Sequence, residues 1–157
     1  MNPDTHRYEG DADQMQASDG LAFWEDGASL ASTTKSDVPA VSRDSPDSRL
    51  WVITDEDVLH APEFCPFGAE RGARRLKHSN LTAGGDAYVG GELVFLGDQS
   101  IVISACSGRY RVRNAQELAA VASAFRGSGY RVWSMGYNTD TNRPVIIGTQ
   151  DPEWVAA

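Results

Sequence analysis

One amphipathic helix constrains this chain more than any other feature. Leu118, Val121, Ala122 and Phe125 fall at i, i+3, i+4 and i+7, so they line a single stripe. Asn114 is an N-cap type, and Glu117 stands three residues on, as in a capping box. Arg126 complements the C-terminal dipole, and Gly127 is suited to a left-handed cap. The spacing therefore predicts a helix over 115–126 with one face to bury. What it buries against must be strands, because the other apolar runs are short and β-branched.

Those runs are Leu50-Trp51-Val52-Ile53, Glu92-Leu93-Val94-Phe95-Leu96 and Ile101-Val102-Ile103-Ser104. Gly97-Asp98-Gln99-Ser100 reads as the hairpin turn between the last two. Their near-continuous apolar character predicts burial on both faces. Tyr130 to Met135 and Val145-Ile146-Ile147 read as two further strands, with a turn over Asn138 to Asn142. Thr54 followed by Asp55-Glu56-Asp57 predicts a short helix toward Leu59, stopped by Ala61-Pro62. The stretch through Gly68 and Gly72 reads as a loop. The expected class is α+β, with a mainly antiparallel sheet and one principal helix.

Charge divides the chain. Up to Ser48 there are ten acids against three bases, so this part carries most of the net charge of −8. It is poor in aliphatic residues and predicts a largely disordered acidic tail, residues 1–48, before a single domain at 49–157. Leu21-Ala22-Phe23-Trp24 is the one segment in it expected to dock on the fold. An acidic chain does not suit general nucleic-acid binding, which needs a basic surface. No apolar run is long enough to span a membrane. Met1 to Arg7 holds no hydrophobic stretch, so the expected location is the cytoplasm, with signal-independent export left open. Cys65 and Cys106 are too few for a disulfide framework and lack metal-ligand spacing, so no metal is expected.

The span from His78 to Tyr110 holds the candidate chemistry. Glycine pairs at Gly84-Gly85 and Gly90-Gly91 permit close backbone approach, although such pairs also mark bulges and turns. Arg71, Arg74, Arg75, Lys77, Arg109, Arg111 and Arg113 gather beside them. Arginine forks of this kind suit phosphates or a carboxylate, and a solvated basic face is the plain alternative. His78 offers a general acid or base, or a buried structural histidine. Glu92 offers a second acid or a ribose partner, and Tyr110 a stacking ring or a core residue. Ser79 and Ser107 offer hydroxyls. Cys106 follows an apolar strand and is expected to be an inert thiol. Walker, dinucleotide-glycine, G-x-S-x-G and zinc-deaminase patterns are absent from the sequence.

An ordered set of residues carries a resemblance. His78-Ser79-Asn80-Leu81-Thr82-Ala83-Gly84-Gly85, then Gly91-Glu92-Leu93, then Ser107-Gly108-Arg109-Tyr110 and a helix before Gly129-Tyr130 resemble a domain of plant IQ-motif calmodulin-binding proteins. The same set is similar to domains of bacterial effector or toxin-like proteins. It covers roughly a third of the chain, with Arg109 where that pattern has His and Asn80 where it has Ser. The chain lacks a basic IQ helix, so calmodulin binding is not implied. A second likeness, to ADP-ribosyltransferase-type toxins, rests on His78, Tyr110 and Glu153 in His-Tyr-Glu order. It implies NAD or another nucleotide as cofactor.

Together these readings give a small transferase or glycohydrolase acting on a nucleotide-type ligand. In it His78, Glu92, Tyr110 and Glu153 are catalytic, while Arg75, Lys77, Ser79, Gly84, Gly85, Ser107, Arg109 and Arg111 hold the ligand. The alternatives are an acidic immunity or regulatory module that binds a basic protein partner, and a resistance or tailoring protein with an apolar pocket lined by Trp51 and Trp133.

Overall fold

The computed structural model describes residues 15–23, 37–42, 47–55, 58–70, 77–82, 86–96, 100–107 and 110–156. In chain order the strands are β1 (Ala22–Phe23), β2 (Ser48–Ile53), β3 (Val58–Pro62), β4 (Val89–Phe95), β5 (Ser100–Ser104), β6 (Arg131–Ser134), β7 (Tyr137–Asn138), β8 (Arg143–Pro144) and β9 (Glu153–Trp154). The helices are α1 (Pro66–Glu70), α2 (Ser79–Thr82) and α3 (Ala115–Gly127), and a 3₁₀ turn spans Ala17–Asp19. Seven strands form one sheet in the order β1-β3-β2-β4-β5-β6-β9, while β7 and β8 pair separately. The fold is α+β with a mostly antiparallel sheet. Among the described residues no helix is long and apolar enough to cross a membrane.

One pairing breaks the antiparallel pattern. β5 and β6 run parallel, Ile101 facing Val132 and Val102 facing Trp133. A parallel pair needs a crossover, and α3 supplies it, so β5-α3-β6 is a βαβ unit. The apolar stripe of α3 explains its seat. Leu118, Val121, Ala122 and Phe125 are all buried and join Trp51, Val89, Leu93, Ile101, Ile103 and Val132 in one core. The helix begins where the sequence predicts. Asn114 Oδ1 accepts the Glu117 N–H at 2.9 Å. Glu117 reaches back to the Arg113 N–H at 3.3 Å and pairs with its guanidinium at 3.2 Å, one residue short of a standard box. The left-handed glycine is Gly129 (φ 96) rather than Gly127, because the helix runs a residue further.

The opposite face is covered in two parts. Leu50, Val52, Ala61, Phe67, Leu81, Ala87, Tyr110 and Met15 form one core under α1, α2 and the 15–23 segment. Val94, Val102, Trp133, Met135 and Ile147 form another under the chain that follows β6. Burial on both faces is complete at β5, whose five residues are all buried. Ahead of β2, Met15 is 1 % exposed, and β1 pairs with β3 through Ala22–His60 and Phe23–Leu59. Leu21 packs against the core that holds Met15; Trp24 lies outside the described residues.

Three local expectations are corrected. Leu59, toward which a helix is expected, lies in a strand, and residues 56–57 lie outside the described residues. Val58–Pro62 is a strand paired with β2 from Ile53–Val58 to Arg49–Pro62, and five cross-strand pairs outweigh a local capping signal. Pro66–Glu70, read as loop, is a helical turn opening on proline, whose fixed φ suits a first helical position. Val145–Ile147 is not a strand. The chain pairs one step earlier, Tyr137 with Pro144, then turns where the Thr149 N–H meets the Ile146 carbonyl at 3.2 Å. The β4–β5 hairpin is closed by Leu96 N–H to the Ser100 carbonyl at 2.8 Å, and residues 97–99 lie outside the described set.

Gly91 leaves no room for a side chain. A Cβ there would collide with the Ser104 carbonyl and stand 2.6 Å from the Trp51 ring. Gly127 has nothing within 4 Å of that position. Gly91→Ala is therefore expected to lower stability by about 1–3 kcal/mol, the usual range for overpacking. Gly127→Ala is expected to be neutral or to add up to about 1 kcal/mol. Urea unfolding of both variants checks this; Gly91→Ala matching wild type would contradict it.

Candidate functional site

The glycine pair belongs to β4 itself and not to a loop, and it thins that strand from both sides. On the α3 side, Trp51 lies across Gly91, its cross-strand partner. Its indole N–H donates to the Glu92 carbonyl at 3.0 Å, and its ring meets Phe125 edge-on with centroids 5.4 Å apart. On the other side His78 approaches Gly90, where a Cβ would stand 3.0 Å from the imidazole Cδ2.

His78 is 8 % exposed, and its Nε2 lies 2.7 Å from the Gly91 carbonyl. A carbonyl can only accept, so Nε2 carries the proton. Tyr110 is fully buried beside it. Its hydroxyl shares a 2.7 Å hydrogen bond with Thr82 Oγ1, and its carbonyl accepts the Gly90 N–H at 2.7 Å. Its own N–H donates to Ser107 Oγ at 3.0 Å. His78 and Tyr110 thus converge with Gly90 and Gly91, in a sealed hydrogen-bonded knot that ties α2, β4 and the chain after β5 together. Burial lowers the His78 pKa from its ordinary 6.5; the bond to the Gly91 carbonyl and the charge of Glu63 oppose that in part. Glu63 is itself buried, where its carboxylate accepts the Ser48 hydroxyl at 2.7 Å.

The other candidates separate. Glu92 is half-buried on the His78 face, between Leu50 of β2 and Ser104 of β5. Glu153 pairs with Ser134 at the far edge, exposed in a cleft walled by α3. From β4 to β9 is three strand spacings, about 14 Å. Glu153 and His78 therefore share no cleft. Lys77 is exposed, and its N–H donates to Asn80 Oδ1 at 3.1 Å. Ser79 opens α2. Arg71, Arg74, Arg75, Gly84, Gly85 and Arg109 lie outside the described residues. Trp51 and Trp133 are both buried in separate cores, Trp133 against Trp154 with ring centroids 5.3 Å apart, so they line no common pocket.

An open cleft of about 330 Å³ lies beyond the carboxyl ends of the parallel pair. The chain leaving β5 contributes Ala105, Cys106, Ser107, Arg111 and Val112. The chain leaving β6 contributes Tyr137, Asn142, Arg143, Pro144 and Ile146. Ligands in open sheets with parallel strands favour this crevice, because the connections diverge there and leave a gap. Arg111 and Arg143 are exposed, and among the described residues neither meets a carboxylate. Tyr137 donates its hydroxyl to Asn142 Oδ1 at 2.9 Å, bracing the far wall. The Cys106 thiol donates to the Val145 carbonyl at 3.6 Å.

Sequence reading picks out Ser107 and Arg111 in this cleft and misses Tyr137, Asn142 and Arg143. The missed signal is the order strand, helix, strand over 100–134, which marks a parallel pair and hence a crevice at its carboxyl end. Among the described residues no three His, Cys, Asp or Glu side chains gather as a metal site requires. No family model, curated protein or solved structure matches the chain.

The buried imidazole has a pH consequence. With its pKa lowered, the folded chain binds fewer protons below pH 6.5 than the unfolded chain does. Its contribution to stability is full above that pH and is lost as the pH falls through the folded-state value. Ring resonances of His78 followed by NMR should titrate below 6.5, and the acid-side loss of Tm should be shallower in His78→Gln. Titration at or above 6.5 would contradict the sealed, neutral imidazole.

Proposed function

We propose that this protein binds a small anionic molecule, phosphorylated or carboxylated, in the crevice at the carboxyl ends of β5 and β6. The observation that carries this reading is the placement of Arg111 and Arg143 on the two chains that form its walls. Two guanidinium groups that meet no carboxylate among the described residues are an electrostatic surplus in a chain of net charge −8. Guanidinium forks match phosphate and carboxylate oxygens in pairs. Ser107 adds a hydroxyl, and Tyr137, Pro144 and Ile146 add apolar surface for the body of the ligand. A volume near 330 Å³ is at the low end of the usual range for ligand sites, roughly 300–1,000 Å³. It suits a small phosphate ester, or one phosphorylated end of a nucleotide such as NAD.

In this reading His78 and Tyr110 do not touch the ligand. They hold the wall that does, since Tyr110 fixes Ser107 through its backbone N–H. A ribosyl-transfer reaction through His78, Tyr110 and Glu153 is not supported by the geometry, because two are sealed and the third is about 14 Å across the sheet. Calorimetry with pyrophosphate, ADP and citrate tests the reading. At least one should bind, and Arg111→Ala and Arg143→Ala should each weaken it by roughly tenfold, the loss expected of one charge-assisted hydrogen bond. Both variants should keep the wild-type Tm, as exposed substitutions do. Absence of binding to all three, or binding indifferent to both arginines, overturns it.

A further inference from the structure

A second cleft, of about 360 Å³, adjoins the first. Its walls are Ala115, Ala119 and Ala122 of α3, the chain at Ser134–Tyr137, and Glu153 to Val155. Tyr137 lines both clefts, so the two adjoin at this residue. Their charges are opposite. The first cleft holds Arg111 and Arg143; the second holds Glu153, which is exposed and meets no cationic partner among the described residues. The alanines keep the α3 wall shallow. Gly136, at φ 79, leaves space beside the carboxylate, whose Oε2 lies 3.9 Å from where a Cβ would stand.

We infer that the ligand is dipolar, with its anionic group on Arg111 and Arg143 and an ammonium group on Glu153, the two joined by a short chain that passes Tyr137. This rests on the anion-binding reading of the first cleft and names the class of molecule it takes, an amine-bearing phosphate ester or ω-amino acid. A carboxylate accepts an ammonium group through charge-assisted hydrogen bonds, while a purely anionic ligand gains nothing from Glu153 and is repelled by it. The pairing of opposite charges across one shared aromatic residue therefore selects for molecules carrying both.

The test compares aminohexyl phosphate, hexyl phosphate and hexylamine by calorimetry on the full chain. Aminohexyl phosphate should bind roughly three- to fivefold more tightly than hexyl phosphate, the gain expected of one solvent-exposed ion pair. Hexylamine should bind weakest. Glu153→Gln should bring aminohexyl phosphate to the affinity of hexyl phosphate or below it, and should not weaken hexyl phosphate. If the two phosphates bind alike, or if the difference between them survives Glu153→Gln, the dipolar inference is overturned and the anion site stands. If neither phosphate binds, both fall together.

Discussion

The fold turns on a place in β4 where there are no side chains. At Gly90 and Gly91 the strand is bare on both faces, and two rings close on it from opposite sides, Trp51 over Gly91 and His78 against Gly90. Interiors pack at crystal-like density, so space left by a missing side chain is filled or it costs stability. Here both faces fill it with aromatic or heteroaromatic rings that also bond the strand's own carbonyls, Glu92 on one side and Gly91 on the other. Trp51 in turn sets the depth at which Phe125 brings α3 onto the sheet. His78 sets where α2 sits. The layers on either side of the sheet are thus referenced to one dipeptide.

That scaffold reaches the cleft through one short segment. The Gly90 N–H holds the Tyr110 carbonyl, and the Tyr110 N–H holds Ser107, which lines the crevice beyond β5 and β6. His78 and Tyr110, which look catalytic in sequence order, are buried in the structure and bonded to the scaffold, and Tyr110 holds the chain between β5 and α3. The proposed working surface is the cleft a few residues downstream, where that chain and the one leaving β6 separate. A cleft of this kind, set on loops anchored by a rigid sheet, follows from the topology of a parallel strand pair.

Much of the fold was legible in the residues. The α3 stripe and cap, β2, the β4–β5 hairpin and β6 all follow from periodicity and turn chemistry, and all are present with end shifts of a residue or a few. What failed did so where tertiary pairing overrode a local signal. Asp55–Asp57 carry a helix-start pattern, yet Val58–Pro62 are drawn into register with β2. Val145–Ile147 are β-branched, yet the neighbouring pairing of Tyr137 with Pro144 claims the hairpin. The site was legible only in part. Ser107 and Arg111 stood out by their neighbours in sequence. Arg143 and Tyr137 lie about thirty residues away and join them only because β5 and β6 are parallel. The glycines were weighed as turns or ligand lining, and their observed use, close approach of two rings to a strand, needs knowledge of the cross-strand partner.

The division between a sealed scaffold and an open cleft can be read amide by amide. A ¹H–¹⁵N titration of the chain with pyrophosphate should move the resonances of 105–107, 111–112, 137, 142–143 and 145–146, and leave those of 78–82 and 89–92 in place. Shifts centred on His78, Gly90 and Gly91, with the crevice beyond β5 and β6 unmoved, would contradict it.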